Sequence, residues 1–418
     1  MSEHWERMRR ILSASGPPGE GIEFSAPARP DDYWYPSLRV EEELTPYGTC
    51  LIRGLQIPRS HVHGNTPLEW FLASGGEGRA ILGQDPRLGE IEPSSLLFLD
   101  LETTGLGGAG TYAFLVGVAF FSSNCFHIRQ YLMRDYSEER ALLYSLQHLL
   151  ERGGGLVSYN GKMFDLPLLS DRFLLNRMPN PLAGLPHLDL LPSARRLWKG
   201  CSASCSLVNL EQDLLGLRRR GDVPSELIPG LYFRYLQHRK TSLLEPVFSH
   251  NVHDLLSLIA LKARACRAVE KPEAWSLASG GELYGLGRIF EAQGRRERSL
   301  FCYEMSLRQG LPPHLRYEAR RRLSLLLKRS GDRTRAAQIW ESTVGEGGLG
   351  FDPFFYEELA KHKEHQEKDF QGAIAIVEQA LEHLSRRAAT SYRDLVWVQR
   401  FRHRLGRLRH KARGERWR

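Results

Sequence analysis

Four carboxylates in this chain are spaced as if to share a pair of cations: Asp100 and Glu102 in LLFLDLETTGL, Asp165 in SYNGKMFDLPLL, and Asp254 in FSHNVHDLLSL. The apolar run at residues 96–99 reads as a buried strand. Alternation along it turns Asp100 and Glu102 to one face and Leu99 and Leu101 to the other. Two acids on one strand edge repel each other. Divalent cations cancel that cost, and carboxylate oxygens are the hard donors that Mg²⁺ or Mn²⁺ prefers. A DxE pair alone is as readily a solvated strand end, but with Asp165 and Asp254 the set reads as a two-metal phosphodiesterase site.

The surrounding pattern supplies elements to hold these acids. Residues 111–121 and 125–133 are alternating, β-branched or aromatic runs separated by Ser122, Ser123 and Asn124, which predicts a hairpin. Ser137 opens a helix with Glu138 and Glu139 in its first turn and Leu142, Leu143, Leu146, Leu149 and Leu150 on one face. A short buried strand follows at residues 155–159, then a helix from about Met163 and another strand at residues 185–190. Ser249 is placed to cap a last helix running to about Ala268. Three strands in tight succession, then helix, strand, helix, strand, helix, predict an α/β ribonuclease H-like mixed sheet flanked by helices. In that arrangement acids near strand ends meet across a cleft.

Taken in order, DLETTGL, YNGKMFDLPLL, HLDLLPSARRLW, IPGLYFRYL and HNVHDLLSL resemble the DEDD superfamily of 3′-to-5′ exonucleases, most closely its YprB-like bacterial branch. The resemblance covers roughly residues 96–268. It implies that Asp100, Glu102 and Asp254 hold one cation, Mg²⁺ or Mn²⁺, with Asp100 also reaching a second. Asp165 would act at that second ion directly or through water. It further implies cleavage of nucleic acid to 5′-mononucleotides, with DNA favoured over RNA, and a setting in DNA repair beside a partner such as a helicase. Thr103, Thr104, Gly105 and Leu106 stand where relatives bind the terminal nucleotide. Asn160 and Phe164 are further substrate candidates, although a turn and helix packing explain them as well.

The candidate base departs from the better-known patterns. One DEDD class has a histidine five residues before the last aspartate and the other a tyrosine four before it; here those positions are Ser249 and His250. His250 therefore combines the tyrosine spacing with an imidazole. His253 is a rival, but it lies about 100° around the helix from Asp254. Two other function classes stay open: a ribonuclease H-like structure-specific endonuclease, and a catalytically inactive scaffold bearing repeats.

Length and composition frame these expectations. The 418 residues suit two or three domains, and 42% apolar with 25% charged residues is ordinary for a globular protein. No apolar run approaches the ~20 residues of a membrane span. The start MSEHWERMRRIL has no apolar signal core, so a cytoplasmic location is expected. The six cysteines show no repeated CxxC spacing and read as reduced thiols.

Residues 1–93 form an N-terminal extension of uncertain fold, with a helix expected at residues 3–13, a strand near residues 49–55 and an unassigned HVHG at residues 61–64. Residues 94–270 make the exonuclease domain, and 271–418 an all-α domain of helical repeats. In that last region Gly294, Gly331 and Asp369 recur at similar intervals, each followed by a small residue, Ser299, Ala336 or Ala373. Helical pairs so spaced resemble tetratricopeptide repeats, which bind protein partners or brace a neighbouring domain. The net charge of +8 concentrates at the end: residues 402–418 hold eight Arg or Lys against Glu415 alone. Such a tail either binds phosphates or is a solvated basic face.

Overall fold

The computed structural model describes residues 40–105, 107–108, 110–275, 278–346, 351–386 and 392–414. The helix expected at residues 3–13 and the substrate candidate Leu106 lie outside these described residues. The chain divides into two compact units, one from Met1–Arg195 and Ser202–Trp275, the other from Arg196–Cys201 and Ser276–Arg418.

The first unit runs β1 (Val40–Thr45), β2 (Gly48–Pro58), β3 (Val62–His63), β4 (Thr66–Pro67), α1 (Gly76–Gly83), α2 (Arg87–Glu90), β5 (Leu96–Thr103), β6 (Ala113–Ser122), β7 (Cys125–Leu132), α3 (Glu139–Leu150), β8 (Gly155–Ser158), α4 (Asp165–Leu175), β9 (His187–Asp189), the first part of α5 (Leu190–Trp198), whose residues from Arg196 on count with the second unit, α6 (Leu207–Leu210), α7 (Ile228–His238) and α8 (Glu245–Glu270). Among the described residues seven strands form one mixed sheet in the order β1-β2-β7-β6-β5-β8-β9. β5 is antiparallel to β6 and parallel to β8, and β9 is parallel to β8. This is the ribonuclease H-like sheet with flanking helices.

Local chemistry explains the main joints. The run LLFL at the start of β5 is buried throughout, as a strand covered on both faces requires, and the acids appear where that run ends. Ser123 and Asn124, at φ +49° and +63°, make the two-residue turn between β6 and β7. Two left-handed residues match the twist of the paired strands there. On α3, Leu142, Leu143, Leu146, Leu149 and Leu150 are buried together, the face its periodicity predicts.

Two features differ from the expectations. The strand expected near residues 49–55 is β2, and it does not stand apart: it pairs with β7, setting Arg53 opposite Gln130, while β1 closes that edge of the same sheet. The last helix begins earlier than Ser249. α8 starts at Glu245 with a proline in its first turn, where a missing N–H costs no helical bond. Ser249 is therefore inside the helix, its carbonyl accepting from His253 Nδ1 at 2.9 Å.

The second unit is helical: α9 (Gly280–Ala292), α10 (Arg296–Gln309), α11 (Pro313–Arg329), α12 (Arg333–Gly345), α13 (Pro353–His362), α14 (Phe370–Arg386) and α15 (Tyr392–Ala412). Tyr303, Leu323, Trp340, Phe355, Val377 and Phe401 lie in its core. Gly294 and Gly331 turn the chain at φ +71° and +90°. Ser299, Ala336 and Ala373 are fully buried, so the small residues sit where helices pack closely. At the third turn the left-handed residue is Lys368, and Asp369 instead accepts the Gly372 N–H at 2.8 Å. The tetratricopeptide type of these pairs is a proposal that rests on this spacing.

Candidate active site

β5 brings Asp100 opposite Gly117 and Glu102 opposite Leu115 on the neighbouring β6. Asp165 is the first residue of α4, and its carboxylate accepts a hydrogen bond from the Leu101 backbone N–H, between the two β5 acids. Asp254 lies on α8, which packs on β5 and β6. The charges of these groups act on one another. Burial, then the charges of Asp254 and Asp165, hold the Asp100 carboxyl well above the usual range. Burial and then Asp100, Asp254, Asp222 and Asp165 do the same to Glu102. Burial is also the main reason that Asp165 is pushed up to about 7. Three of the predicted acids, Asp100, Glu102 and Asp165, are thus desolvated, and the charge of Asp254 bears on all three.

A second set of residues, not anticipated from the sequence, supports it. Arg219 is 4% exposed and reaches three carboxylates: Glu211 at 2.5 Å, Asp222 at 2.9 Å, and Asp254. Burial opposes its charge, but Asp254, Glu211 and Asp222 raise its pKa above the ordinary guanidinium value. His250 is buried and donates from Nδ1 to Asp222 at 2.9 Å. Its Nε2 lies 3.7 Å from Asp254 Oδ2 and 3.4 Å from Ser225 Oγ. Burial disfavours the imidazolium, yet the Asp222 hydrogen bond and the charge of Asp254 outweigh it and raise the pKa. His253 is pushed the other way, by burial and by Arg219.

Asn251, fully buried beside His250 on α8, donates from Nδ2 to Asp100 Oδ2 at 2.7 Å. Its Oδ1 accepts from Gln130 Nε2 at 2.8 Å, and Gln130 Oε1 accepts from Arg53 Nη1 at 3.3 Å. A buried hydrogen-bonded chain therefore runs from β2 through β7 and α8 to a β5 acid. Asn251 could have been found as a polar residue on the packed side of HNVHD. Arg219 and Asp222, in RRRGDVP, carry no such signal and read as a solvated turn.

The substrate candidates are held mainly by their own turns. Thr103 Oγ1 donates to the Gly105 carbonyl at 2.7 Å, and the Thr104 amide donates to the Tyr112 carbonyl at 2.9 Å. Asn160 is left-handed at φ +65°. The Asn160, Lys162 and Leu191 amides all donate to Asp189, at 2.8, 3.1 and 3.0 Å, so this carboxylate ties the loop before Asp165 to β9. Phe164 is partly exposed just before α4. In HVHG, a side chain on Gly64 would collide with the Leu215 carbonyl, and the Asn65 amide bonds that carbonyl at 2.8 Å. His63 is buried on Ser257 Oγ at 2.8 Å. The motif anchors the segment that leads to Arg219.

The donor set has the chemistry of a divalent-cation site: oxygens only, with the Asp100 and Glu102 carboxyls lifted by burial and then by the charges of neighbouring acids. Its side chains are not drawn to one point. Among the described residues no group of three or more His, Cys, Asp or Glu is arranged to hold a metal ion, and one oxygen of Asp254 is bonded to Arg219. Metal loading in this arrangement calls for Asp254 to use its other oxygen or for Arg219 to release it.

A family model of the RNase_H superfamily matches residues 97–266. The Bacillus subtilis (strain 168) protein described as "Uncharacterized protein YprB" is 33% identical over 338 residues, covering 79% of this chain and 80% of that protein. Among solved structures, one titled as the structure of exonuclease I aligns over 75% of this chain and 99% of its own at 12% identity, with a TM-score of 0.30. Among the described residues no helix is long and apolar enough to cross a membrane.

Proposed function

We propose a phosphodiester-cleaving function for this chain, which belongs to the family of the Bacillus subtilis protein YprB and carries an RNase_H superfamily domain. The reading is a divalent-metal-dependent 3′-to-5′ exonuclease that releases 5′-mononucleotides from DNA, in a repair setting. One observation carries it: Asp100, Glu102, Asp165 and Asp254, drawn from three separate segments of the chain, lie within electrostatic reach of one another, and burial followed by the neighbouring negative charges holds the Asp100 and Glu102 carboxyls well above the usual range.

In this reading Asp100, Glu102 and Asp254 would hold one cation, and Asp100 with Asp165, directly or through water, would hold a second. Bound there, the ions would supply charge stabilisation to an in-line displacement at phosphorus. His250 accepts a proton from the attacking water at Nε2, while Asp222 holds its Nδ1–H and fixes the ring. Asn251 sets the orientation of Asp100, and Arg219 that of Asp254.

The Arg219–Asp254 ion pair favours a second reading, an inactive scaffold in which a fixed cation stands where metal would bind. End-labelled DNA and RNA, single and double stranded, incubated with Mg²⁺, Mn²⁺ or chelator, decide between them. Mononucleotides released from the 3′ end only with metal support the exonuclease. Internal cuts support an endonuclease, and intact substrate in both metals supports the scaffold.

A further inference from the structure

The basic C-terminal helix is paired internally, but its charge is not balanced. Arg400 Nη2 lies 2.6 Å from Glu357. Arg404, Arg407 and Lys411 all converge on Glu364, at 2.8, 2.7 and 2.7 Å. Lys361 bridges Glu357 and Glu358 at 3.1 and 2.8 Å, and Lys328 also reaches Glu358. Among the described residues, six cations of α11, α13 and α15 therefore meet three carboxylates. The Glu364 side chain is wholly buried, whereas Arg400, Lys411, Lys361 and Arg407 are 51%, 36%, 32% and 29% exposed. The negative charge is thus hidden beneath the positive. Burial, then the charge of Arg407, lowers the pKa of Arg404, as crowding of cations should.

Residues 400, 404, 407 and 411 follow the helical repeat along roughly 16 Å of one face of α15, where Arg400, Arg407 and Lys411 present their cations at the surface and Arg404, 15% exposed, lies beneath them. A single small anion would satisfy one such position; a regularly charged polymer satisfies the row. We infer that this face of the helical unit binds the phosphodiester backbone of a single nucleic-acid strand, as a site separate from the acid cluster. The choice of a nucleic acid over an acidic peptide rests on the nuclease reading above. Arginine and lysine contacts of this kind position a strand without reading its sequence, and they release counterions as they form.

The test uses the full chain and the double variant Lys361→Gln, Lys411→Gln. It leaves Arg400 on Glu357, Lys328 on Glu358, and Arg404 with Arg407 on Glu364, so each carboxylate keeps a partner. Binding of a long fluorescent oligodeoxynucleotide is followed by anisotropy in chelator across a salt series, beside a thermal melt. The variant should melt as the parent does, bind about threefold to tenfold more weakly, and lose roughly 0.7 of the log–log salt slope per cation removed. A folded variant with unchanged affinity and slope overturns the inference. If it does not fold as the parent does, Lys411→Gln alone carries the same criterion. Polyglutamate that displaces the oligonucleotide at lower charge concentration than competing DNA overturns the choice of strand.

Hydrolysis of a trinucleotide in Mn²⁺, a substrate too short to fill the row of cations on α15, is measured in parallel. Loss of salt slope without any hydrolysis in parent or variant leaves the basic face standing and removes the nuclease. Equal hydrolysis with unchanged binding does the reverse.

Discussion

The side-chain amide of Asn251 occupies the space that a β-carbon on Gly117 would need: an atom there would overlap Asn251 Oδ1 and crowd the rest of the amide. Gly117 sits on β6 directly opposite Asp100, the residue whose carboxylate Asn251 holds. A missing methyl group on one strand thus permits the hydrogen bond that orients an acid on the next.

Gly117→Ala should therefore damage the site more than the fold. Overpacking of this kind costs about 1–3 kcal/mol. The displaced amide would also leave Asp100 Oδ2 and Gln130 without their present partner. The expected outcome is a modest fall in denaturation midpoint, with weaker Mn²⁺ binding by calorimetry. Asn251→Ala should reproduce the loss of metal affinity, and Gly117→Ala with Asn251→Ala should add little to it.

Arg219→Ala should be severely destabilising in the metal-free protein. It removes the cation from Glu211 and Asp254 and leaves Asp222 with His250, in a site where the guanidinium is 4% exposed, and breaking a buried pair costs about 3–5 kcal/mol. Chemical denaturation at neutral pH measures the loss. Divalent cations should restore more stability to the variant than they add to the parent, because a freed Asp254 can take metal. Equal metal responses would argue against competition between Arg219 and a cation.

His250→Ala should lower metal-dependent turnover by about 10²-fold or more with little change in substrate affinity, the scale of general base catalysis. Asp222→Asn should follow in part, since it weakens the hold on Nδ1. His253→Ala should be milder. An unchanged single-turnover rate in His250→Ala would remove the imidazole from the mechanism.

Acid should act through His63. Burial lowers its pKa from 6.5 to about 3, so the folded state keeps it neutral while the unfolded chain protonates it. Its contribution is fully present above pH 6.5 and is lost as the pH falls toward 3, on the order of a few kcal/mol in all. The buried carboxyls titrate with the opposite sign in an overlapping range, so the informative quantity is a difference. Parent minus His63→Gln stability should shrink steadily below pH 6.5. A pH-independent difference would contradict the burial of that ring.

How much of this could be read from the chain depended on distance along it. Periodicity exposes an element's own burial, and it served for β5, the β6–β7 hairpin and α3. The four acids stood out in the chain because each stands beside such a signal. What periodicity does not encode is the partner: β2 was legible as a strand but not as the neighbour of β7. Arg219 and Asp222 were invisible because a polar turn looks the same whether water or three carboxylates surround it. The start of α8 was misplaced because Ser249 offers a good cap locally, while the proline one turn earlier is equally good and leads a longer apolar stretch.

The outermost strand has a consequence for the molecule in company. Among the described residues β1 ends the sheet, with Glu41, Glu42 and Glu43 in succession and exposed, and the opposite end is a three-residue strand wholly buried. A second copy that tried to extend the sheet at β1 would set its own glutamates against these, and at β9 it would find no free length of backbone to grip. Charge at one described edge and a short, buried strand at the other both disfavour strand-to-strand growth between two molecules meeting at random.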